Sequence, residues 1–168
     1  MRVKLFSAIG IGTFVLIGSG PAFADCSPME LFAPGAERNA QFADLDGSGG
    51  VSVGDQRLSR HALVGPDGSP VGTRYTVTSV VSIDDEGNAH RSGEYIFVLD
   101  DGVIIATRPG ETPHFQADVD NTDTRLSPKH DVPRIITGGF GAYEGATGTF
   151  TTTRGDGFDT LIVLDVAC

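Results

Sequence analysis

Residues 135–148 read IITGGFGAYEGATG, which is the most distinctive stretch of the chain. Its apolar start predicts a β-strand, and the glycines predict a tight turn, because glycine adopts backbone conformations that other residues avoid. A second strand is expected to begin at Gly148, and the aromatic Tyr143 is expected to cover the end of a core. A phosphate-binding loop fits poorly, since no Gly-Lys-Ser or Gly-Lys-Thr follows and no helix opens after it.

Short runs of β-forming residues lie on both sides of this stretch, and glycine-containing turns separate them. Evenly spaced short strands with few helical patterns are typical of an all-β sandwich or barrel. Several runs alternate, so that each buries at least one face. The region Glu111–Pro133 is expected to be a long surface loop. The predicted strands are Gln56–Val64, Val71–Ile83, Ala89–Leu99, Val103–Thr107, Arg134–Thr137, Gly148–Thr153 and Phe158–Val166.

The stretch 135–148 resembles a glycine element of the allene oxide cyclase and dirigent barrel superfamily, Ile-Thr-Gly-Gly-x-Gly-x-Phe/Tyr-x-Gly-Ala-x-Gly. The similarity is closest to the allene oxide cyclase-like branch. Gly54-Asp55-Gln56 resembles the entry to the family's first long strand, and 93–97 and 102–104 fit later strands in order. The resemblance covers roughly residues 54–166 and departs at Phe140, where Thr or Ser is usual.

This resemblance implies an eight-stranded antiparallel β-barrel, calycin-like, around a lipophilic cavity, often in homodimers or homotrimers. It does not carry over a reaction. Plant allene oxide cyclases cyclise an unsaturated epoxide with a glutamate, a proline and an asparagine-held water. Leu58 stands at the proline position and His61 at the asparagine position, and Glu30 and Glu37 are the candidates for the glutamate.

Residues 44–55, DLDGSGGVSVGD, match a calcium-binding loop. Oxygen donors fall at loop positions 1, 3, 5, 9 and 12, and a glycine at position 6 allows the sharp turn. Asp55 replaces the usual Glu, and Ala36–Phe42 would have to supply a flanking helix. The alternative is a polar turn that leads into a strand. The candidate Ca²⁺ ligands are Asp44, Asp46, Ser48, Gly50, Ser52 and Asp55.

Residues 1–24 have the order of a secretory signal peptide. Arg2 and Lys4 form the positive region, Leu5–Ile17 is largely apolar, and Ala22-Phe23-Ala24 supplies small residues for cleavage. The apolar run is shorter than the roughly 20 residues of a membrane span. We expect cleavage near Ala24 and a secreted or periplasmic protein with no membrane attachment.

Cys26 and Cys168 would then be the second and last residues of the mature chain. Export delivers them to an oxidising compartment, where a disulfide would tie the two ends of the domain together. The alternative is a reactive or metal-binding thiol pair, which lacks Cys-x-x-Cys spacing. We expect the disulfide.

The chain of 168 residues has 12 basic and 22 acidic side chains and a net charge of −10, which argues against nucleic acid and anionic membranes as partners. Nucleophile-elbow and dinucleotide motifs are missing from the sequence. The weak catalytic candidates are polar residues of the predicted strands: His61, Glu94, Tyr95 and Arg108. Glu94 would serve as a base if buried, but the alternation of its strand favours an outward position.

These patterns predict a signal peptide at 1–24, an N-terminal extension with the calcium-like loop at 25–53, and a barrel at 54–168. The leading hypothesis is an exported barrel that holds a small lipophilic molecule and directs its cyclisation or coupling, since a shaped cavity can act by limiting conformations. A binding protein without enzymatic activity is close to it. The second hypothesis is an extracellular interaction module stabilised by Ca²⁺, the one cofactor considered.

Overall fold

The computed structural model describes residues 26–85, 87, 89–108, 133–155 and 159–168. The signal-peptide residues 1–24 and nearly all of the predicted loop Glu111–Pro133 lie outside the described residues. Among the described residues, no helix has the length and apolar character needed to cross a membrane. The described elements are a 3₁₀ turn at Gly35–Glu37 and the strands β1 (Met29–Ala33), β2 (Asn39–Ala43), β3 (Gln56–Val64), β4 (Pro70–Ile83), β5 (Ala89–Leu99), β6 (Gly102–Arg108), β7 (Arg134–Gly141), β8 (Thr147–Arg154) and β9 (Thr160–Ala167).

Eight of these strands close into a barrel. Each strand from β3 to β9 pairs antiparallel with the next, and β1 pairs antiparallel with β9. The ring closes where Phe32 of β1 lies opposite Val64 of β3. β2 stays outside the ring and pairs with β3 over Gln56–Arg60. The structure confirms the predicted eight-stranded antiparallel β-barrel.

Two strands were not among those expected from the sequence. β1 lies in the segment assigned to an N-terminal extension, yet it supplies the strand that closes the ring, with Leu31 and Ala33 buried inside. β2 occupies most of Ala36–Phe42, where a helix was expected to flank the calcium-like loop. That expectation is wrong, because Asn39–Ala43 instead pairs along the exposed edge of β3.

An apolar core fills one end of the barrel, which we call the closed end. Cys26 and Cys168 form the predicted disulfide there, with their Cα atoms 5.5 Å apart. Tyr143, in the turn between β7 and β8, is only 8% exposed and covers this end as expected. The ring of Phe150 lies edge-on to Tyr95 at 5.0 Å and to Phe97 at 5.1 Å between centroids.

The glycine-rich stretch differs from its prediction in one respect. Gly138–Gly141 continue β7 as a strand, and the turn consists of the following residues, 142–146. Close backbone approach explains why the strand needs glycine. A Cβ at Gly139 would overlap the carbonyl oxygens of Tyr143 and Val103, whereas a Cβ at Gly138 would meet no atom within 4 Å.

Gly139→Ala is therefore expected to destabilise the barrel by about 1–3 kcal/mol, the usual range for overpacking. Gly138→Ala is the matched control and should change stability by less than about 0.5 kcal/mol. Urea unfolding of the oxidised protein measures both. Equal effects from the two substitutions would contradict the close-approach explanation.

Candidate functional site in the barrel interior

The barrel interior becomes polar away from the closed end. Four inward side chains on adjacent strands mark the change: His61, Arg74, Thr76 and Tyr95. The strand register places His61 opposite Arg74 and Thr76 opposite Tyr95. All four are at most 9% exposed. A polar group so deeply buried needs a partner, because losing its hydrogen bonds to water costs about 1–3 kcal/mol.

Further arginines approach the same site. The Cζ atom of Arg134 lies 5.3 Å from the ring centroid of Tyr95 and 5.1 Å from that of Phe150. The side chain of Arg108 is hydrogen-bonded to Tyr95. Arg38, just before β2, is close enough to Arg74 and His61 to shift their pKa values. We call Arg38, Arg74, Arg108 and Arg134 the arginine belt.

The electrostatics of the belt reflect burial and mutual repulsion. Burial is the largest cause and, together with the charges of Arg134 and Arg38 and against an opposing effect of Tyr95, lowers the pKa of Arg74 to about 10. Burial also lowers the pKa of Arg108, against the effect of Tyr95. Both guanidinium groups stay charged at neutral pH, so the interior carries concentrated positive charge.

His61 is neutral in this surrounding. Burial, followed by the charges of Arg74 and Arg38, lowers its pKa from 6.5 to about 3. A neutral imidazole has one nitrogen that donates and one that accepts a hydrogen bond. His61 can therefore bind or orient a polar group of a ligand without adding charge.

The structure brings three of the four catalytic candidates together and separates the fourth. His61, Tyr95 and Arg108 all face the polar interior. Glu94 is exposed on the outer face of β5, where the alternation of its strand placed it. It has no route to the interior and carries no role in this site.

Sequence reasoning missed Arg38, Arg74, Thr76 and Arg134. The available signal was position: Arg74 and Thr76 lie on one face of a β-rich run, alternating with Tyr75 and Val77. Hydrophobic alternation predicts that Tyr75 and Val77 face inward. In the structure Arg74 and Thr76 face inward instead. Tyr75 is 42% exposed, whereas Arg74 is 6% exposed.

The calcium-like loop is a compact turn that leads directly into β3. Asp55 is 1% exposed, and its two oxygens accept hydrogen bonds from the backbone N–H groups of Leu45 (2.9 Å) and Ser52 (2.7 Å). Asp44 accepts bonds from the N–H groups of Gly47 (2.7 Å) and Gly49 (2.9 Å). The hydrogen bonds from Leu45 and Ser52 favour the ionised form of Asp55 and therefore lower its pKa.

The loop also brings three carboxylates together. One oxygen from each of Asp44, Asp46 and Asp55 lies within 4.8 Å of the others. The N–H and hydroxyl of Ser48, with the hydroxyl of Ser52, lower the pKa of Asp46 to about 2. Three carboxylates at such spacing offer the oxygen ligands that a hard cation prefers. Ser48, Gly50 and Ser52 belong to the same loop.

An open groove of about 270 Å³ lies on the outer face of the barrel, beside β2. Leu58, Tyr75 and Val77 give it an apolar floor, and Arg60 stands at its side. Thr76 also lines the groove. The side chains of the floor point away from the arginine belt because alternate residues of β3 and β4 face opposite sides of the sheet.

Comparisons with known proteins support the fold. No protein-family model matches the sequence, and no curated protein matches it. Among solved structures, the chain is similar to a pyocyanin demethylase, with a TM-score of 0.62 and 23% sequence identity over 83% of this chain and 99% of that chain. It is also similar to AbnU, an exo-specific intermolecular Diels-Alderase, with a TM-score of 0.51 and 14% identity over 84% of this chain and 98% of that chain.

At these identities the similarity shows a shared barrel fold. The fold and the polar interior together define a class, the small closed β-barrels with polar side chains in the interior. Membership of the allene oxide cyclase branch stays a prediction.

The low pKa of His61 predicts a pH dependence of stability. The unfolded chain binds a proton on this histidine near pH 6.5, whereas the folded chain does so only near pH 3. Stability is therefore lost as the pH falls from 6.5 toward 3, by up to about 1.4 kcal/mol per pH unit. His61→Gln should flatten this part of the profile in urea unfolding at pH 7, 5.5 and 4.5.

His90→Gln is the control for this measurement, since His90 lies outside the belt, 3.5 Å from Asp84. This variant should keep the wild-type loss between pH 6.5 and 4.5. A His61→Gln profile parallel to that of the wild type would show that His61 is protonated in the folded protein.

Proposed function

We propose that the barrel holds a small, largely apolar molecule in its interior and directs a ring-forming or coupling reaction of that molecule. The observation that carries this proposal is the buried polar set inside a closed ring. Neither the Nε of Arg74 nor the Oγ1 of Thr76 has a hydrogen-bond partner among the described residues. Native interiors rarely leave such groups unsatisfied unless they serve a function.

The walls around these polar groups suit a molecule with rings. The rings of Tyr95 and Phe150 lie beside these polar groups, and the closed end below them is packed with apolar side chains. A ligand would lay its apolar part on these surfaces and turn its polar atoms toward Arg74 and Thr76. Pockets of this composition, mainly apolar with a few convergent polar groups, are the usual form of small-molecule sites.

The two similar structures support a reaction as well as binding, because one is a demethylase and the other a Diels-Alderase. A cavity can direct ring formation by holding reacting atoms in a near-attack geometry, with little acid or base chemistry. Native mass spectrometry of the protein with its co-purified ligand distinguishes catalysis from binding alone. A cyclase returns an isomer of the same mass with a new retention time, whereas a binding protein returns the ligand unchanged.

Binding inside the barrel is tested with N-phenyl-1-naphthylamine, a neutral dye that brightens in apolar sites. We expect saturable binding of one dye per chain. Thr76→Phe should weaken it by at least about tenfold, because the added ring occupies the interior beside Tyr95. Glu94→Phe adds the same ring on the outer face of the adjacent strand and should leave the affinity within about twofold.

Equal effects of the two substitutions would place the dye outside the barrel and contradict the proposal. If Thr76→Phe loses dye binding and also melts at a lower temperature, Thr76→Val distinguishes a blocked interior from a destabilised fold. Thr76→Val keeps the volume and should retain the dye.

A second candidate function is a calcium-stabilised extracellular interaction module, favoured by the carboxylates of Asp44, Asp46 and Asp55. Val80 accepts a hydrogen bond from the N–H of Gly54 and donates one to the carbonyl of Asp55, both at 2.9 Å. An ion in the loop would therefore stiffen the connection between β2 and β3 and raise the melting temperature. This role is compatible with a ligand inside the barrel.

Calcium binding predicts that 1 mM Ca²⁺ raises the melting temperature relative to EDTA, and that Asp46→Asn abolishes the increase. A ligand at 100 times its dissociation constant stabilises a protein by about 2.7 kcal/mol. Asp85→Asn removes an exposed carboxylate from another turn and should keep the response. Identical melting temperatures in Ca²⁺ and EDTA would contradict calcium binding and leave the loop as a turn held by its own hydrogen bonds.

We further propose export after cleavage near Ala24 and assembly as a homodimer or homotrimer. The Cys26–Cys168 disulfide supports export, because disulfides persist in oxidising compartments. Exposed apolar residues on the outer sheet, among them Ile96, Val98 and Phe140, support assembly. Amino-terminal sequencing of the secreted protein tests the first proposal, and sedimentation velocity tests the second.

A further inference from the structure

The strands of the barrel carry acidic side chains on the outer face and arginines on the inner face. The chain carries a net charge of −10. The described strands contain three carboxylates, and all three are exposed: Glu30, Glu94 and Asp165. The inward positions of these strands carry arginines instead, with Arg74 the most deeply buried at 6% exposure. An acidic protein has thus placed positive charge where water is scarce.

The cost of this arrangement is clearest at Arg74. A buried charge loses several kcal/mol of solvation unless a partner of opposite charge offsets it. Arg38 and Arg134 repel Arg74. The Nε of Arg74 has no hydrogen-bond partner among the described residues, and neither has the neighbouring hydroxyl of Thr76. Two buried donors at neighbouring inward positions of β4 therefore lack an acceptor among the described residues.

We propose that the molecule held in the barrel carries an anionic oxygen group, a carboxylate or an equivalent oxyanion, which binds at the guanidinium of Arg74 within the arginine belt. The inference rests on the proposed function and narrows its ligand from a lipophilic molecule to a lipophilic acid. Arginine suits this task because its planar donors match the two oxygens of a carboxylate.

The belt also fixes the direction in which the ligand lies. The guanidinium of Arg134 is held in cation–π contact with Tyr95 and Phe150, at the boundary between the aromatic side chains and the belt. Thr76 stands opposite Tyr95 and can donate to the second oxygen of the anion. The anion then lies between β4 and β5, and the rings of the ligand extend along the apolar interior.

The test compares two probes that differ only in charge, 2-naphthoate and 2-naphthamide, by isothermal titration calorimetry of the oxidised protein. We expect the naphthoate to bind at least about tenfold more tightly. The preference should weaken only modestly from 50 to 300 mM NaCl, because a buried ion pair is screened less than an exposed one.

Three variants locate the effect. Arg74→Met should abolish the preference for naphthoate while leaving naphthamide affinity within about threefold, and Arg108→Gln should reduce the preference. Arg60→Gln is the matched control, since Arg60 is an exposed arginine on the outer face beside the groove of β3 and β4. It should behave as wild type.

Melting temperature separates a binding role for Arg74 from a structural one. An arginine that is buried in order to bind a ligand destabilises the protein when the ligand is absent. Arg74→Met should therefore melt at the same temperature as wild type or higher. A lower melting temperature with an unchanged naphthoate preference would overturn the proposal and make Arg74 structural.

The outcomes also separate this inference from the proposed function. Equal binding of the two probes would overturn the anionic ligand while leaving the small-molecule site intact. A preference for naphthoate that Arg60→Gln removes would place the anion on the outer face and overturn the inference. Binding of neither probe, together with no binding of the neutral dye, would overturn both.

Discussion

The rest of the structure depends on the closure of the ring by β1, whose pairing with both β9 and β3 leaves the other barrel strands without a free edge. In an open sheet, Arg74 and His61 would face solvent, and burial would not shift their pKa values. Closure turns the same side chains into a buried set, because the interior of an eight-stranded barrel is only wide enough for side chains or one small ligand. The Cys26–Cys168 disulfide lies immediately before β1 and after β9, so it holds together the pair of strands that completes the ring.

Much of this fold could be predicted from local signals. The turns at 65–69 and 100–101 separate strands whose β-forming residues mark their bounds within a few positions. β1 and β2 gave no such signal, since each has only five residues and their pairing partners lie elsewhere in the chain. Which residues of Gly138–Gly148 form strand and which form turn depended on tertiary contacts, because Val103 and Tyr143 decide it at Gly139. Local pattern therefore located most of the strands, and long-range pairing decided how they close.

The site was harder to predict than the fold because the alternating pattern of β4 is inverted. Tyr75 and Val77 look like core residues and face outward, whereas Arg74 and Thr76 look like surface residues and face inward. Hydrophobic alternation indicates the buried face only where burial serves stability alone. Here the ring forces one face of β4 inward whatever its polarity, and neighbouring strands supply enough apolar surface to keep the fold. Local rules fail in this way mainly at functional sites, where stability is given up for another purpose.

The contrast between an acidic chain and a basic interior bears on what such a site could recognise. Repulsion from exposed carboxylates falls off within about 10 Å at 0.1 M salt, so the outer charge affects approach more than bound affinity. Inside, the dielectric is lower and Arg74 interacts strongly with whatever lies beside it. A free inorganic anion would give up its hydration for this environment without gaining apolar contacts. A molecule with rings would gain apolar contacts inside the barrel, and this gain would offset the desolvation of its charged end. The combination therefore favours an amphipathic acid over a simple ion.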